Sequence, residues 1–413
     1  MNSRRTAAFV VARWIATHEF PNELLPKGGP DRAFVQDLVY TTVRRFRPLR
    51  AVLGELMKTW PKGELEALVL VGAAQILYMP EVPDFAAVNE TVAAAKLGDR
   101  GKRLDRVVNG VLRNLLRRRA EFEAKLAAAP LAERESYPNA LVSRWTARYG
   151  AEGAEKLARW HNTPAETWIA RKGSFEKLPR GEKVADQPGF EEGDFIVQDP
   201  ATAGAVDLLD VSTGKMPVVP GEGLSVLDFC AAPGGKTVQI AWRTDFCTVG
   251  DDPPPVGRAP RARRGEIVAQ EVNPKRLARL KENLARMKLD NVTAVQKVED
   301  GALFDRVLVD APCSNTGVIR RRPDARWRWN ADHLAQLVAL QKEILEAAAV
   351  HVKPGGRLVY STCSNEPEEN AEQIAAFLVA HPDFKEVGRY ESVPFETDHD
   401  GAFACALVRE GCA

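Results

Sequence analysis

The chain has 413 residues, with 57 Lys plus Arg against 56 Asp plus Glu. That length exceeds one hydrophobic core and predicts two or three domains, while the even charge balance excludes a globally basic nucleic-acid binder and confines any phosphate-binding surface to a local patch. No apolar run reaches the roughly 18 residues needed to cross a bilayer, and the six cysteines (Cys230, Cys247, Cys313, Cys363, Cys405, Cys412) follow neither a zinc nor a disulfide spacing, so a reduced, cytoplasmic protein without a metal is expected.

The opening stretch NSRRTAAFVVARWIA sets paired arginines before an apolar segment, as an export signal does, but Arg13 interrupts it and no small-residue cleavage site follows. Helix then follows helix to about residue 119. Phe34, Leu38, Val39, Thr42 and Val43 line one face of a helix over 31–46; residues 65–79 are almost wholly apolar and belong at the centre; 84–97 and 104–116 are amphipathic. Short loops marked by Pro and Gly complete an all-α bundle. Between Lys96 and Arg119, nine Lys or Arg stand against two Asp. Such a run is a solvated helix face in the bland reading and a phosphate-binding stripe in the functional one.

The segments DRAFVQDLVYTTVRRF, VPDFAAVNETVAAAK and RVVNGVLRNLLRR resemble the NusB-type RNA-binding helical domain at the amino end of bacterial RsmB (Fmu/Sun) ribosomal RNA methyltransferases. The likeness runs through nearly all of residues 5–119. It implies a NusB-like domain over 1–125 and an RNA-contacting role for Arg103, Arg106 and Arg113. Residues 126–197 say least. Helices are expected over 121–129, 140–149 and 152–161, and a short strand region begins at Trp168. The family carries a small RNA-contacting subdomain here, which this chain abbreviates between Lys172 and Phe195. Gln198-Asp199-Pro200 matches the entry to a catalytic domain over 198–413.

Residues 225–230, SVLDFC, read as a strand, followed by Ala231-Ala232-Pro233-Gly234-Gly235-Lys236-Thr237 and a helix. A Gly-rich turn between strand and helix admits close backbone approach to a ligand, and the helix start offers free N–H groups. A phosphate-binding P-loop would need Gly where Cys230 stands, and GxGxxG is absent. What remains is an S-adenosylmethionine loop. The strand over 266–272 ends with Glu271, placed to accept hydrogen bonds from both ribose hydroxyls, and Asp300, after the strand over 292–296, is the candidate for the adenine. Two further strands end in thiols. Residues 304–310 finish at Asp310 and break at Pro312 into the loop carrying Cys313, and 356–363 finish at Thr362-Cys363. If these strands are neighbours their tips lie roughly 5 Å apart. Between them Arg320, Arg321, Arg322, Arg326 and Trp327 interleave cations with an indole, which suits phosphates and a stacked base; the alternative is a structural Trp pair beneath an exposed basic loop.

DFCAAPGGKT, DAPCSNTG and STCSNEPEEN closely match the Nop/Sun/RsmB family of RNA cytosine-C5 methyltransferases over about residues 198–410. The resemblance implies a Rossmann-like α/β sheet of seven strands, its last strand antiparallel near 402–409. It further implies S-adenosyl-L-methionine held by Cys230, Ala231, Ala232, Pro233, Gly234, Gly235, Lys236, Glu271, Asp300 and Asp310, with ribosomal RNA as partner, no DNA, no membrane and a monomeric enzyme. A Pro- and Arg-rich insertion over 243–265 departs from the family and reads as a surface loop. Cytosine C5 is too electron-poor to take a methyl group directly, and a thiolate adding to C6 makes it nucleophilic. Asp310, if burial raises its pKa, would protonate N3. The family assigns the attack to Cys363 and release to Cys313; DNA cytosine methyltransferases attack from a Pro-Cys, which keeps the reverse assignment open. Of the other cysteines, Cys230 reads as a buried small hydrophobe whose backbone lines the cofactor.

Overall fold

The structure is a computed structural model and describes residues 2–97, 101–211, 223–244 and 266–411, with the backbone alone for 101–103. It divides into two compact units, Met1–Thr163 with Ile319–Asn330, and Pro164–Val318 with Ala331–Ala413. The segment expected over 126–197 is thus shared, its helices going to the first unit and its strands to the second. Most of the 243–265 insertion lies outside the described residues.

In the first unit the helix Glu64–Tyr78 is buried continuously from Glu66 to Ile76. A helix apolar on all sides must be surrounded, and Ser3–Thr17, Arg32–Arg44, Phe46–Leu56, Asp84–Lys96 and Gly101–Arg117 all pack against it. Gly72 permits the closest crossing, since a Cβ there would lie 2.5 Å from Leu112 Cδ1. Asn139–Asn162 is two helices meeting at Gly150, whose φ of 72° breaks the spiral where the sequence separates 140–149 from 152–161. Among the described residues, no helix is long and apolar enough to cross a membrane.

The second unit opens with three antiparallel strands, β1 (Thr167–Arg171), β2 (Ser174–Leu178) and β3 (Phe195–Val197), in the order β2-β1-β3. The main sheet comprises β4 (Ser225–Asp228), β5 (Glu266–Gln270), β6 (Val292–Val295), β7 (Phe304–Asp310), β8 (Val352–Thr362), β9 (Phe384–Ser392) and β10 (Ala402–Arg409), in the order β6-β5-β4-β7-β8-β10-β9. β4 to β8 are mutually parallel, and β10 runs antiparallel to both neighbours. This is the seven-stranded Rossmann-like sheet expected from the sequence. Strand order reverses between β4 and β7, and there the carboxyl ends open a crevice.

Candidate active site

Val307, Leu308 and Val309 of β7 and Leu358, Val359 and Tyr360 of β8 have no exposed surface, the pattern of strands covered on both faces. Their parallel register sets Asp310 beside Ser361. The next residues of each strand then run side by side, and Cys313 Sγ lies 3.2 Å from Cys363 Sγ. Asn315, held at φ 61°, ties the thiols to one loop: its Nδ2 donates to Cys313 O at 2.8 Å and its Oδ1 accepts from Cys363 Sγ at 3.4 Å. Gly317 N donates to Cys363 O at 3.0 Å. A Cβ on Gly317 would meet that oxygen at 2.8 Å and Gly401 O at 2.7 Å, so only glycine closes this contact.

The thiols differ in surroundings. Cys363 is half-buried and Cys313 buried. The Cys313 thiol is held well above its ordinary range, first by its hydrogen bond with Cys363 and then by burial and the charges of Cys363 and Glu369. Lys236, at the start of the helix Gly235–Thr244, pairs with Asp310 Oδ2 at 2.6 Å, and Ser361 Oγ donates to Asp310 Oδ1 at 3.1 Å. Burial works against the Lys236 ammonium, yet Asp310, with help from Cys363 and Asp228, lifts its pKa overall. A cation thus faces Cys363 beside a carboxylate.

The Gly-rich loop is clasped from one helix. Asn273 caps the helix Pro274–Arg286 by accepting from the Lys275 and Arg276 amides, which fixes the rotation of the residues that follow. Arg276, Leu280 and Asn283, spaced i, i+4, i+7, then share a face. Arg276 Nη2 donates to Ala232 O at 2.9 Å, Asn283 Nδ2 to Pro233 O at 2.8 Å, and Leu280 lies 2.9 Å from where a Gly234 Cβ would stand. Arg276 Nε also lies 3.3 Å from Glu271 Oε2. The loop fits a nucleoside cofactor with a charged amino-acid end. Gly234, at φ 108°, puts no side chain in the way. Glu271, 3% exposed, carries acceptor oxygens at the tip of β5. Asp228 Oδ1 is buried with no hydrogen-bond partner among the described residues, while Oδ2 accepts from Thr237 at 2.6 Å. Burial pushes the Cys230 thiol up to about 12, which leaves that side chain inert.

Cys230 to Lys236, Glu271, Asp310, Cys313 and Cys363 all follow from the carboxyl ends of β4, β5, β7 and β8. Asp300 does not join them in any contact: it is an exposed acid paired with Lys297 at 2.8 Å, because the short link after β6 leaves it on the surface. The Arg-Trp segment is also corrected. Ile319–Asn330 packs within the helical unit. Arg326 has no exposed surface: its Nη1 donates to Arg44 O, Glu135 O, Ser136 O and Asn162 Oδ1, and its guanidinium lies 4.0 Å from the Tyr137 ring centre. Trp327 Nε1 donates to Val43 O at 2.9 Å, and Arg320 is buried over Trp160. Buried carbonyls here need donors, and Arg326 and Trp327 supply them instead of reaching RNA. Arg321 is half-buried and Arg322 exposed. Arg106 and Arg113 are exposed on the helix Gly101–Arg117; the Arg103 side chain lies outside the described residues. Sequence reasoning overlooked Arg276, Asn283, Gln341 and Glu369. Glu369 stood inside a quoted motif, whereas the other three occupy ordinary helix positions with no local signal.

Residues 259–400 match the family described as 16S rRNA methyltransferase RsmB/F, and residues 1–117 match the NusB family. The ribosomal RNA small subunit methyltransferase B of Serratia proteamaculans is 33% identical over 455 residues, covering 99% of each chain. The protein so named from Yersinia pseudotuberculosis is 32% identical over 459 residues with the same coverage. The crystal structure of PH0851 has a similar fold, with a TM-score of 0.74 at 23% identity over 98% of this chain and 99% of its own.

Proposed function

Since the chain belongs to the RsmB/F family of 16S rRNA methyltransferases, we propose that it methylates C5 of a cytosine in small-subunit ribosomal RNA, with Cys363 as nucleophile and Cys313 as the group that releases the product. The observation that carries this reading is the pair of thiols 3.2 Å apart beside the Lys236–Asp310 ion pair. Its cofactor is S-adenosyl-L-methionine, which when bound supplies an electrophilic methyl group on a positively charged sulfur. The residues that would hold it are the Cys230–Lys236 loop, Glu271 for the ribose hydroxyls, and Asp228 with Asp310 for the ammonium of the amino-acid end.

Cys363 is the more accessible thiol, faced by the Lys236 cation, and it attacks as its thiolate. That thiolate adds to C6, and the ring's displaced electrons collect at C5. Asp310 is ion-paired and a third exposed, at 35% of its side chain, so the Lys236 ammonium is the donor offered to N3 or O2 and the Asp310 carboxylate accepts from the 4-amino group. After C5 is methylated, Cys313 as thiolate takes the C5 proton; the C–H electron pair restores the C5=C6 bond and Cys363 leaves with the C6–S electrons. Arg106, Arg113 and Arg322 are the exposed cations assigned to RNA phosphates.

Wild type, Cys363→Ala and Cys313→Ala, each given S-adenosyl-L-methionine and a small-subunit rRNA transcript, test the assignment on denaturing gels alongside methyl transfer. Cys313→Ala should accumulate a protein–RNA adduct, and Cys363→Ala should form none and transfer no methyl. Adduct lost only when Cys313 is removed would reverse the roles.

A further inference from the structure

Glu369 has no part in the chemistry above, yet it touches both sides of it. It is fully buried in the turn Pro367–Glu369 that precedes the helix Ala371–Ala380. Four donors meet on its two carboxylate oxygens. Oε1 accepts from Ser314 N at 2.8 Å and Gln341 Nε2 at 2.9 Å, while Oε2 accepts from the hydroxyls of Ser314 and Ser364. Ser314 follows Cys313, and Ser364 follows Cys363. One carboxylate therefore grips the residue after each thiol. Gln341 adds a third point, donating also to Pro312 O at 2.9 Å on the other side of Cys313, and the Tyr360 hydroxyl donates to Glu369 O at 2.8 Å. All these partners are neutral. A carboxylate buried without a cation is costly beside an apolar residue of its size, so its stabilising value alone does not account for it.

We propose that Glu369 is a positioning residue for the covalent chemistry, holding Cys313 and Cys363 at reacting distance and disposing them to different roles. The inference rests on the two-thiol reading given above. Its geometric part follows from the bonds to Ser314 and Ser364. Its electrostatic part follows from charge: the groups facing the Cys313 thiol are Cys363, Glu369 and Tyr360, with Lys236 facing Cys363. The Glu369 charge helps to keep Cys313 protonated. Release needs Cys313 as thiolate, so its rate rises with pH through the Cys313 pKa; removing the negative charge lowers that pKa and moves the rise to lower pH.

Glu369→Gln separates the two parts. Its amide oxygen can occupy the Oε1 position, and its NH₂ can face the two hydroxyls, which turn to accept. Glu369→Ala removes both. The test compares these variants with wild type and Cys313→Ala, using small-subunit rRNA transcript and S-adenosyl-L-methionine, from about pH 6 to about pH 9. Adduct formation is read in a single turnover and methyl transfer at steady state, with cofactor affinity and melting temperature as controls. The expected result is a turnover profile displaced to lower pH in Glu369→Gln, and adduct formation slowed about 100-fold or more in Glu369→Ala with cofactor affinity retained. An undisplaced profile in Glu369→Gln overturns the proposal, as does wild-type adduct formation in Glu369→Ala. If Glu369→Ala does not fold, the Glu369→Gln profile decides. Absence of adduct in Cys313→Ala, where wild type methylates, is instead the failure of the two-thiol reading, and the role of Glu369 falls with it.

Discussion

Asp228 shows how far one buried carboxyl can be moved. Burial, together with Asp310 and Glu271, raises it from an ordinary 3.8 to about 7, against the hydrogen bond from Thr237 and the charge of Lys236. The sign of the consequence follows from linkage. Between the two values the folded protein binds a proton that the unfolded chain has released, so the contribution to stability is full below pH 3.8 and is lost as pH rises through about 7. In cofactor-free protein, wild type should therefore lose about 2–3 kcal/mol relative to Asp228→Asn between about pH 5 and about pH 8. Urea unfolding of both proteins at the two pH values measures it. A difference that stays constant with pH would mean that Asp228 does not titrate there.

Two helices convert spacing into shared faces. On Pro274–Arg286 the residues Arg276, Leu280 and Asn283 hold the Gly-rich loop in place. Asn283→Ala should weaken S-adenosyl-L-methionine binding by roughly fivefold, the worth of about 1 kcal/mol for one hydrogen bond, with little change in melting temperature. Arg276→Ala should weaken it further, because Arg276 also orients Glu271. Calorimetric titration separates the two variants, and unchanged affinity in both would mean the loop holds itself. On Gly101–Arg117 the exposed Arg106, Arg113 and Arg117 fall at i, i+7, i+11 and form one stripe. Neighbouring cations are already occupied: Arg118 pairs with Glu121 and Arg119 with Asp84. Arg106→Ala with Arg113→Ala should lower RNA affinity across sequences and reduce the slope of log K against log salt by about one per arginine. A slope equal to wild type would return the stripe to a solvated helix face.

At the scale of the whole molecule, the helical unit is completed by Ile319–Asn330, which follows on from the Cys313 loop in the chain. Burial and the nearby Arg45 pull the Arg326 guanidinium down to about 10, still charged at neutral pH, and its Nη1 serves three carbonyls and Asn162. Arg326→Met would strand these acceptors at about 1–3 kcal/mol each. It should destabilise the protein by at least about 3 kcal/mol in urea unfolding. A loss of RNA affinity with unchanged stability would restore the phosphate-binding role that the sequence suggests for this residue.

The sequence by itself determined what repeats with a period or sits at a strand tip. The almost wholly apolar 65–79 stretch had to be central, the β-branched runs at 304–310 and 356–363 had to be buried, and the breaks after them had to present Cys313 and Cys363. These are local properties of side-chain pattern and turn chemistry. Tertiary structure alone decided which polar group meets which. Arg326 and Arg322 stand four residues apart in one basic run, yet one is sealed under Tyr137 and the other exposed. Asp300 follows a strand as Glu271 does, but only Glu271 is buried at the crevice. Gln341 and Glu369 come together across a hydrogen bond that no spacing encodes. A buried polar atom must find a partner wherever the fold supplies one, and that partner is chosen by the packing of distant segments rather than by the neighbours along the chain.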